Sequence, residues 1–162
     1  QQTPARLWRL PVCYEEKFAP DLKDVISKTN LTPDEVIALH TSRILEVAIM
    51  GFLPGLGYLT GVDNALHLPR RSEPRTFVPQ GSVGLAMDQT VIYPLNSPGG
   101  WNLIGRMPIP LFDQKRENPI LFSAGDQVSF YAVNADKYEE LAASCVDGNL
   151  PICPEQADEA AL

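Results

Sequence analysis

Trp8, Leu10, Val12 and Tyr14 alternate with Arg9, Pro11 and Cys13, the period of a half-buried β-strand. Two helical stretches are predicted next. The first runs from Asp21, a good N-cap residue, to about Thr29. The second opens on Thr32-Pro33-Asp34-Glu35, with a capping threonine, proline at the first helical position and glutamate three residues after the cap. It ends near His40-Thr41-Ser42, so the two form a short helical hairpin. From Ile44 to Phe52 the pattern returns to a strand, with Leu45, Val47 and Ile49 on one face.

Beyond Phe52 glycine and proline punctuate the chain. Eleven Gly and 15 Pro in 162 residues forbid long helices and suit many short strands joined by tight turns. Ser82-Val83-Gly84-Leu85-Ala86-Met87 alternates large with tiny residues, as in a strand whose Gly84 and Ala86 face something closely packed or line a groove. Thr90–Tyr93, Asn102–Arg106, Leu111–Phe112, Ile120–Phe122 and Gln127–Val133 are further strand candidates, with a turn at Ala124-Gly125-Asp126 between the last two. Asn134 caps a final helix in which Tyr138, Leu141 and Ala142 share a face. Seven or more short strands with few helices predict a mainly β fold, a closed barrel or a sandwich. After Leu150 the pattern is lost, and the end of the chain reads as a tail.

Composition narrows the classes. An apolar content of 44% with 20% charged residues is that of a folded globular chain. No window approaches the ~18 consecutive apolar residues of a membrane-spanning helix, and Gln1-Gln2-Thr3-Pro4-Ala5 lacks the layout of a signal peptide, which together predict a cytoplasmic protein with no membrane partner. The net charge of −7 is concentrated at one end: residues 121–162 carry one Lys/Arg against eight Asp/Glu. No sustained basic stripe exists, so nucleic acid is not an expected partner. Three cysteines are too few for a disulfide scaffold. Cys13 reads as a small buried hydrophobe, and Cys145 and Cys153 would bridge only in an oxidising compartment. No spacing of Cys or His suggests a metal site.

Candidate chemistry is sparse. Gly55-Leu56-Gly57-Tyr58-Leu59-Thr60-Gly61 fails as a dinucleotide fingerprint, because its third glycine is one position late and prolines, not a helix, follow. There is no Walker-type loop and no Gly-x-Ser-x-Gly elbow, and His40 and His67 read as surface or helix-end residues. No catalytic base is assigned. The loop Leu68-Pro69-Arg70-Arg71-Ser72-Glu73-Pro74-Arg75 is more informative: prolines stiffen it, so Arg70, Arg71 and Arg75 are suited to a carboxylate or phosphate, or else are solvent-facing charges partly paired with Glu73. Ser97-Pro98-Gly99-Gly100-Trp101 offers backbone N–H groups beside a large aromatic, as a binding surface or as a structural corner with Trp101 in the core.

These segments carry a resemblance. Leu10-Pro11-Val12-Cys13-Tyr14, Pro20-Asp21-Leu22, Gly51-Phe52-Leu53-Pro54-Gly55, Tyr58-Leu59, Pro69-Arg70-Arg71, Pro74-Arg75 and Val78-Pro79-Gln80-Gly81-Ser82-Val83-Gly84 stand in the order and spacing of a family that joins KipI, allophanate hydrolase subunit 1 and the B subunit of 5-oxoprolinase. Gln89-Thr90, Ile92-Tyr93-Pro94, Ser97-Pro98-Gly99-Gly100-Trp101, Leu103-Ile104-Gly105-Arg106, Leu111-Phe112-Asp113 and Ala124-Gly125-Asp126-Gln127-Val128 continue it, so that the resemblance spans roughly residues 7–141. Where the family usually has a glycine pair after Cys-Tyr, Glu15-Glu16 stand here. Where it usually has alanine, glycine and glycine, Gln80, Met87 and Val91 stand here, each adding bulk beside the expected groove.

The resemblance implies a cyclophilin-like closed β-barrel with a few short helices. Residues 1–6 would be a linker from a preceding domain, residues 7–145 the barrel and residues 146–162 an acidic tail. It implies a non-autonomous subunit of an ATP-dependent amide hydrolase of 5-oxoprolinase or allophanate hydrolase type. ATP with magnesium would be bound by the complex, a small amide would be the substrate, and the partner would be a KipA-like chain, the C subunit of a 5-oxoprolinase. Arg70, Arg71 and Arg75 would hold a carboxylate or phosphate, Gln89, Tyr93, Ser97 and Trp101 would line the groove, and Arg106 would sit at its rim. The family's other roles are a KipI-like inhibitor docking on a sensor histidine kinase and part of a urea carboxylase carboxyltransferase region. The barrel's name alone does not imply prolyl isomerase activity.

Overall fold

The structure is a computed structural model that describes residues 5–157. In chain order it places strand β1 at Arg6–Cys13, helices α1 at Leu22–Thr29 and α2 at Pro33–Thr41, and strands β2 at Leu45–Met50 and β3 at Gly57–Thr60. Strands β4 (Arg75–Val78), β5 (Ser82–Ala86), β6 (Gln89–Ile92), β7 (Ser97–Gly99), β8 (Asn102–Arg106) and β9 (Gln127–Val133) follow, then helix α3 (Ala135–Ser144) and a two-residue strand β10 (Glu155–Gln156). Seven strands close a barrel in the order β1-β8-β5-β6-β3-β2-β9, with β9 returning to β1. That last pairing is parallel, from Leu7↔Gln127 to Cys13↔Val133, and all other pairings in the barrel are antiparallel. The mainly β, closed-barrel expectation is met. Strands β4 and β7 stand apart as a two-stranded ribbon.

The barrel closes because its strands supply apolar side chains inward at every second position. Leu10, Val12, Val47, Leu59, Ile104 and Val128 are fully buried in one continuous cluster, which α1 and α2 cap through Val25 and Val36. The capping box of α2 is complete: the Thr32 hydroxyl accepts from the Glu35 N–H, and the Glu35 carboxylate accepts from the Thr32 N–H, both at 3.1 Å. Asn134 caps α3 through the Lys137 N–H at 2.8 Å. At the turn before β9 the buried Asp126 carboxylate accepts from Arg6 at 2.8 Å and from the Trp8 indole at 3.1 Å, fixing the end of β1.

Several expectations change. The β2 pattern breaks at a bulge between Val47 and Ile49, so Leu45 and Val47 face inward while Ile49 is 63% exposed. Leu111–Phe112 and Ile120–Phe122 form only an isolated bridge between Phe112 and Ile120 within a long loop. Strands β3, β4 and β7, of four, four and three residues, are too short to show a period. His40 stands in the last turn of α2, at a helix end as expected, and not on the surface. It is buried and stacks on Phe130 with ring centroids 4.7 Å apart. Its Nδ1 meets the Tyr14 hydroxyl at 2.5 Å and its Nε2 meets Thr90 Oγ1 at 3.2 Å, while Thr90 donates to the Gly84 carbonyl at 2.7 Å. Burial pushes the His40 imidazole down to about 3, so it is neutral in the barrel.

All three cysteines are free. Cys13 and Cys145 are buried and Cys153 is exposed. In the stretch expected as an acidic tail, Glu155 and Gln156 pair with Leu7 and Arg6 of β1, and Glu155 bonds Arg9 at 3.1 Å. Residues 158–162 of that stretch and residues 1–4 of the expected linker lie outside the described residues. Among the described residues no helix is long and apolar enough to cross a membrane.

Candidate functional site

Alternation along the barrel strands creates a second apolar face, on the outside. There Leu56, Val78, Ala86, Val91, Tyr93, Trp101 and Leu103 form a separate small cluster, with Leu53 and Tyr58 packed against it. The β4–β7 ribbon and the loops around Phe52 and Arg70 stand over this face without filling it. What they leave is a cavity of about 270 Å³, lined by Phe52, Tyr58, Arg70, Arg71, Val91, Tyr93, Ser97 and Trp101 among others.

Small residues make room for the aromatic floor. A Cβ on Gly84 would lie 2.8 Å from the Cβ of Trp101, so the expected close packing over Gly84 is contact with the indole residue. A Cβ on Gly99 would lie 2.2 Å from the Tyr93 hydroxyl. Trp101 is only 7% exposed and lies 6.0 Å from Tyr58 between ring centroids, so it serves both readings, packed in the cluster and lining the cavity. Burial raises the Tyr93 phenol above its ordinary value, opposed by the Trp101 backbone N–H that it accepts and by the charge of Arg70.

The three arginines part company. Asp21, expected as a helix cap, makes no capping bond and is 1% exposed. One carboxylate oxygen accepts from Arg71 and, at 2.5 Å, from Arg75, while the other accepts from the Leu103 backbone N–H at 2.8 Å. Arg71 also donates its backbone N–H to the Gly100 carbonyl at 2.8 Å and reaches the Glu73 carbonyl at 3.4 Å. Asn102 secures the start of the loop through the Pro69 carbonyl at 2.9 Å. Arg71 and Arg75 therefore tie the loop to the first helix and to β8. Arg70 alone is left facing the ligand space: its guanidinium sits 5.9 Å from the Trp101 ring centroid, and among the described residues no acidic side chain pairs with it.

Of the residues expected at the site, Arg70, Arg71, Tyr93, Ser97 and Trp101 are brought together around the cavity. Arg75 stands behind Arg71 on Asp21. Gln89 opens β6, paired with Ala86 and Thr60, away from the lining. Arg106 is turned elsewhere, over the Phe18 ring at 5.0 Å and beside the Tyr138 hydroxyl, behind a different cavity of about 230 Å³ at the barrel end. A register shift between Gly84↔Leu103 and Val83↔Gly105 interrupts the alternation of β8, and four residues of strand separate Arg106 from the Asn102 end that faces the loop. Of the three bulkier residues, only Val91 lines the cavity; Gln80 belongs to the barrel-end cavity, and Met87 sits in the β5–β6 turn with φ 57°. Glu15 closes a gap of its own by accepting from the Ala135 N–H at the start of α3. Sequence reasoning missed Asp21, whose partners lie 50, 54 and 82 positions away and leave no local signal.

The cavity can hold and polarise an anion or a carbonyl. Its lining includes no Asp, Glu, His or Lys, so it offers no general base. Among the described residues no group of three or more His, Cys, Asp or Glu could hold a metal ion.

Residues 1–122 match the family described as "Carboxyltransferase domain, subdomain C and D". The chain is 43% identical over 133 residues to the B subunit of 5-oxoprolinase from Bacillus subtilis (strain 168), covering 82% of this chain and 55% of that protein. It spans little more than half the length of the curated 5-oxoprolinase relatives it matches. Among solved structures, a conserved uncharacterized protein of Pyrococcus horikoshii superposes with a TM-score of 0.78 at 39% identity, covering 82% of this chain and 61% of that one. The Kluyveromyces lactis urea carboxylase shares the fold, with a TM-score of 0.83 at 20% identity over 96% of this chain and 16% of its own.

Proposed function

The chain belongs to the family of carboxyltransferase domains, subdomains C and D, and on that premise we propose that it is the barrel portion of a 5-oxoprolinase-type subunit that binds a small cyclic amide in the Trp101 cavity. The observation that carries this reading is the guanidinium of Arg70, without an acidic partner among the described residues, above an aromatic floor. A carboxylate would meet Arg70, and the flat ring would lie against Trp101 and Tyr58. Arg71, held by Asp21, adds a fixed positive charge beside it. Such donors stabilise charge developing on an amide oxygen.

A site with donors and no base is half a site. The proton transfers and the activation of water would come from another chain, which supports a heteromeric enzyme with a KipA-like partner, the C subunit of a 5-oxoprolinase, and little activity alone. ATP with magnesium does not fit the residues here: the cavity has no phosphate-cradling glycine loop and no carboxylate for the metal. The nucleotide would be held elsewhere in the complex.

Coupled turnover of ATP and 5-oxoproline by the full-length subunit with its partner tests the proposal. Arg70→Ala is expected to weaken substrate binding at least tenfold, since a hydrogen bond to a charged group contributes about 1.5–3 kcal/mol. Turnover unchanged in Arg70→Ala would remove the cavity from the mechanism. The family's description, with relatives named "Putative urea carboxylase" and "Urea amidolyase", favours a second reading, biotin-dependent carboxyl transfer to an amide such as urea. Avidin, by sequestering biotin, would abolish turnover in that case and leave an ATP-driven hydrolase untouched.

A further inference from the structure

Most polar groups around the Trp101 cavity are accounted for within the chain. The Asn96 side-chain oxygen accepts from the Gln80 N–H at 2.7 Å, and Arg71 is bound to Asp21. Among the lining residues Ser97 alone has a buried side-chain polar atom with no hydrogen-bond partner among the described residues. It opens β7, where pairing with Val78 fixes its backbone and Pro98 follows. The residue is half-buried and lines the cavity, yet its Oγ is buried and has no hydrogen-bond partner among the described residues. A buried hydroxyl left unpaired costs free energy that an apolar side chain of the same size would not. No group among the described residues compensates that cost. A turn about its one χ1 bond breaks no hydrogen bond, so the hydroxyl is free to reorient toward a ligand in the cavity that the residue lines.

We propose that Ser97 is a specificity-determining residue, whose hydroxyl donates to the amide carbonyl of a cyclic ligand while Arg70 holds that ligand's carboxylate. The inference rests on reading the cavity as the substrate site, and adds which ligand atom is discriminated and by what. Arg70 recognises any carboxylate of suitable size; Ser97 separates a lactam from a plain ring.

Calorimetric titration of the full-length protein and its Ser97→Ala variant with two probes tests this. The probes are 5-oxoproline and cyclopentanecarboxylate, which keeps the ring and the carboxylate but lacks the amide. Ser97→Ala is expected to weaken 5-oxoproline about tenfold, to leave cyclopentanecarboxylate unchanged, and to hold or raise the melting temperature without ligand, because the orphaned hydroxyl is gone. A role confined to folding would move the melting temperature down and both probes together. Unchanged 5-oxoproline binding, equal weakening of both probes, or a lowered melting temperature overturns the inference while the site reading stands. Binding of neither probe to the unsubstituted protein overturns the site reading itself.

Discussion

The two sides of the barrel wall differ in kind. Inside, one continuous cluster from Trp8 to Phe130 is packed, and its polar chain of Tyr14, His40, Thr90 and the Gly84 carbonyl is bonded end to end. Outside, a handful of apolar residues leaves a cavity lined by one cation without an acidic partner and one buried hydroxyl without a hydrogen-bond partner among the described residues. A satisfied network makes a unique core, and an unsatisfied surface that is nonetheless rigid makes a binding site. The rigidity comes from Asp21, a buried carboxylate holding Arg71, Arg75 and the Leu103 N–H at once.

Breaking that carboxylate has the largest expected effect. Asp21→Ala leaves two guanidiniums and a backbone N–H uncompensated and should cost about 3–5 kcal/mol in chemical denaturation. A loss below about 1 kcal/mol would mean that the loop is not held from this point. Leu59→Ala, at a fully buried position of the inner cluster, should cost about 2–5 kcal/mol through lost burial and a residual cavity. Ligand affinity should survive it where the protein remains folded. A change in affinity as large as that of Arg70→Ala would erase the distinction between the two sides.

Acid should act on the inside first. The folded pKa of His40 lies near 3, below its ordinary 6.5, so the unfolded chain binds the proton that the folded chain refuses. The stability conferred by the neutral imidazole is full above pH 6.5 and is lost as pH falls towards 3, by about 1 kcal/mol between pH 6 and 5. Denaturation midpoints across that range would show it, and a flat profile would mean that His40 is solvated.

The smallest expected change is a gain. Met87 holds φ 57° in the β5–β6 turn, a left-handed conformation that burdens a bulky residue. Met87→Gly should therefore stabilise by about 1 kcal/mol, and a lower melting temperature would show that the side chain contributes packing that outweighs the strain.

Much of the inside was legible from local pattern. The inward set of Trp8, Leu10, Val12 and Tyr14, the capping box at Thr32 and the Asn134 cap need only neighbouring residues, and each is found in the structure. Strand β1 is not half-buried, however, since Leu7, Pro11 and Cys13 are buried as well. The bulge after Val47 was hidden because a shift of one residue reverses faces without changing composition. The outside was legible as a set of residue types around Arg70 and Trp101 and not as an arrangement. Which arginine remains available depends on Asp21 reaching 50 positions along the chain, and Arg106 was grouped with the others although β8 carries it to Phe18.

Each side of the wall contains one of the two tryptophans, which gives the comparison an internal control. Amide and indole ¹⁵N–¹H spectra of the full-length protein titrated with 5-oxoproline should shift the Trp101 indole resonance in proportion to occupancy. The Trp8 indole, bonded to Asp126, should stay where it is. A Trp101 signal that does not move, or one that moves no more than Trp8, would contradict the assignment of the outer cavity as the ligand site.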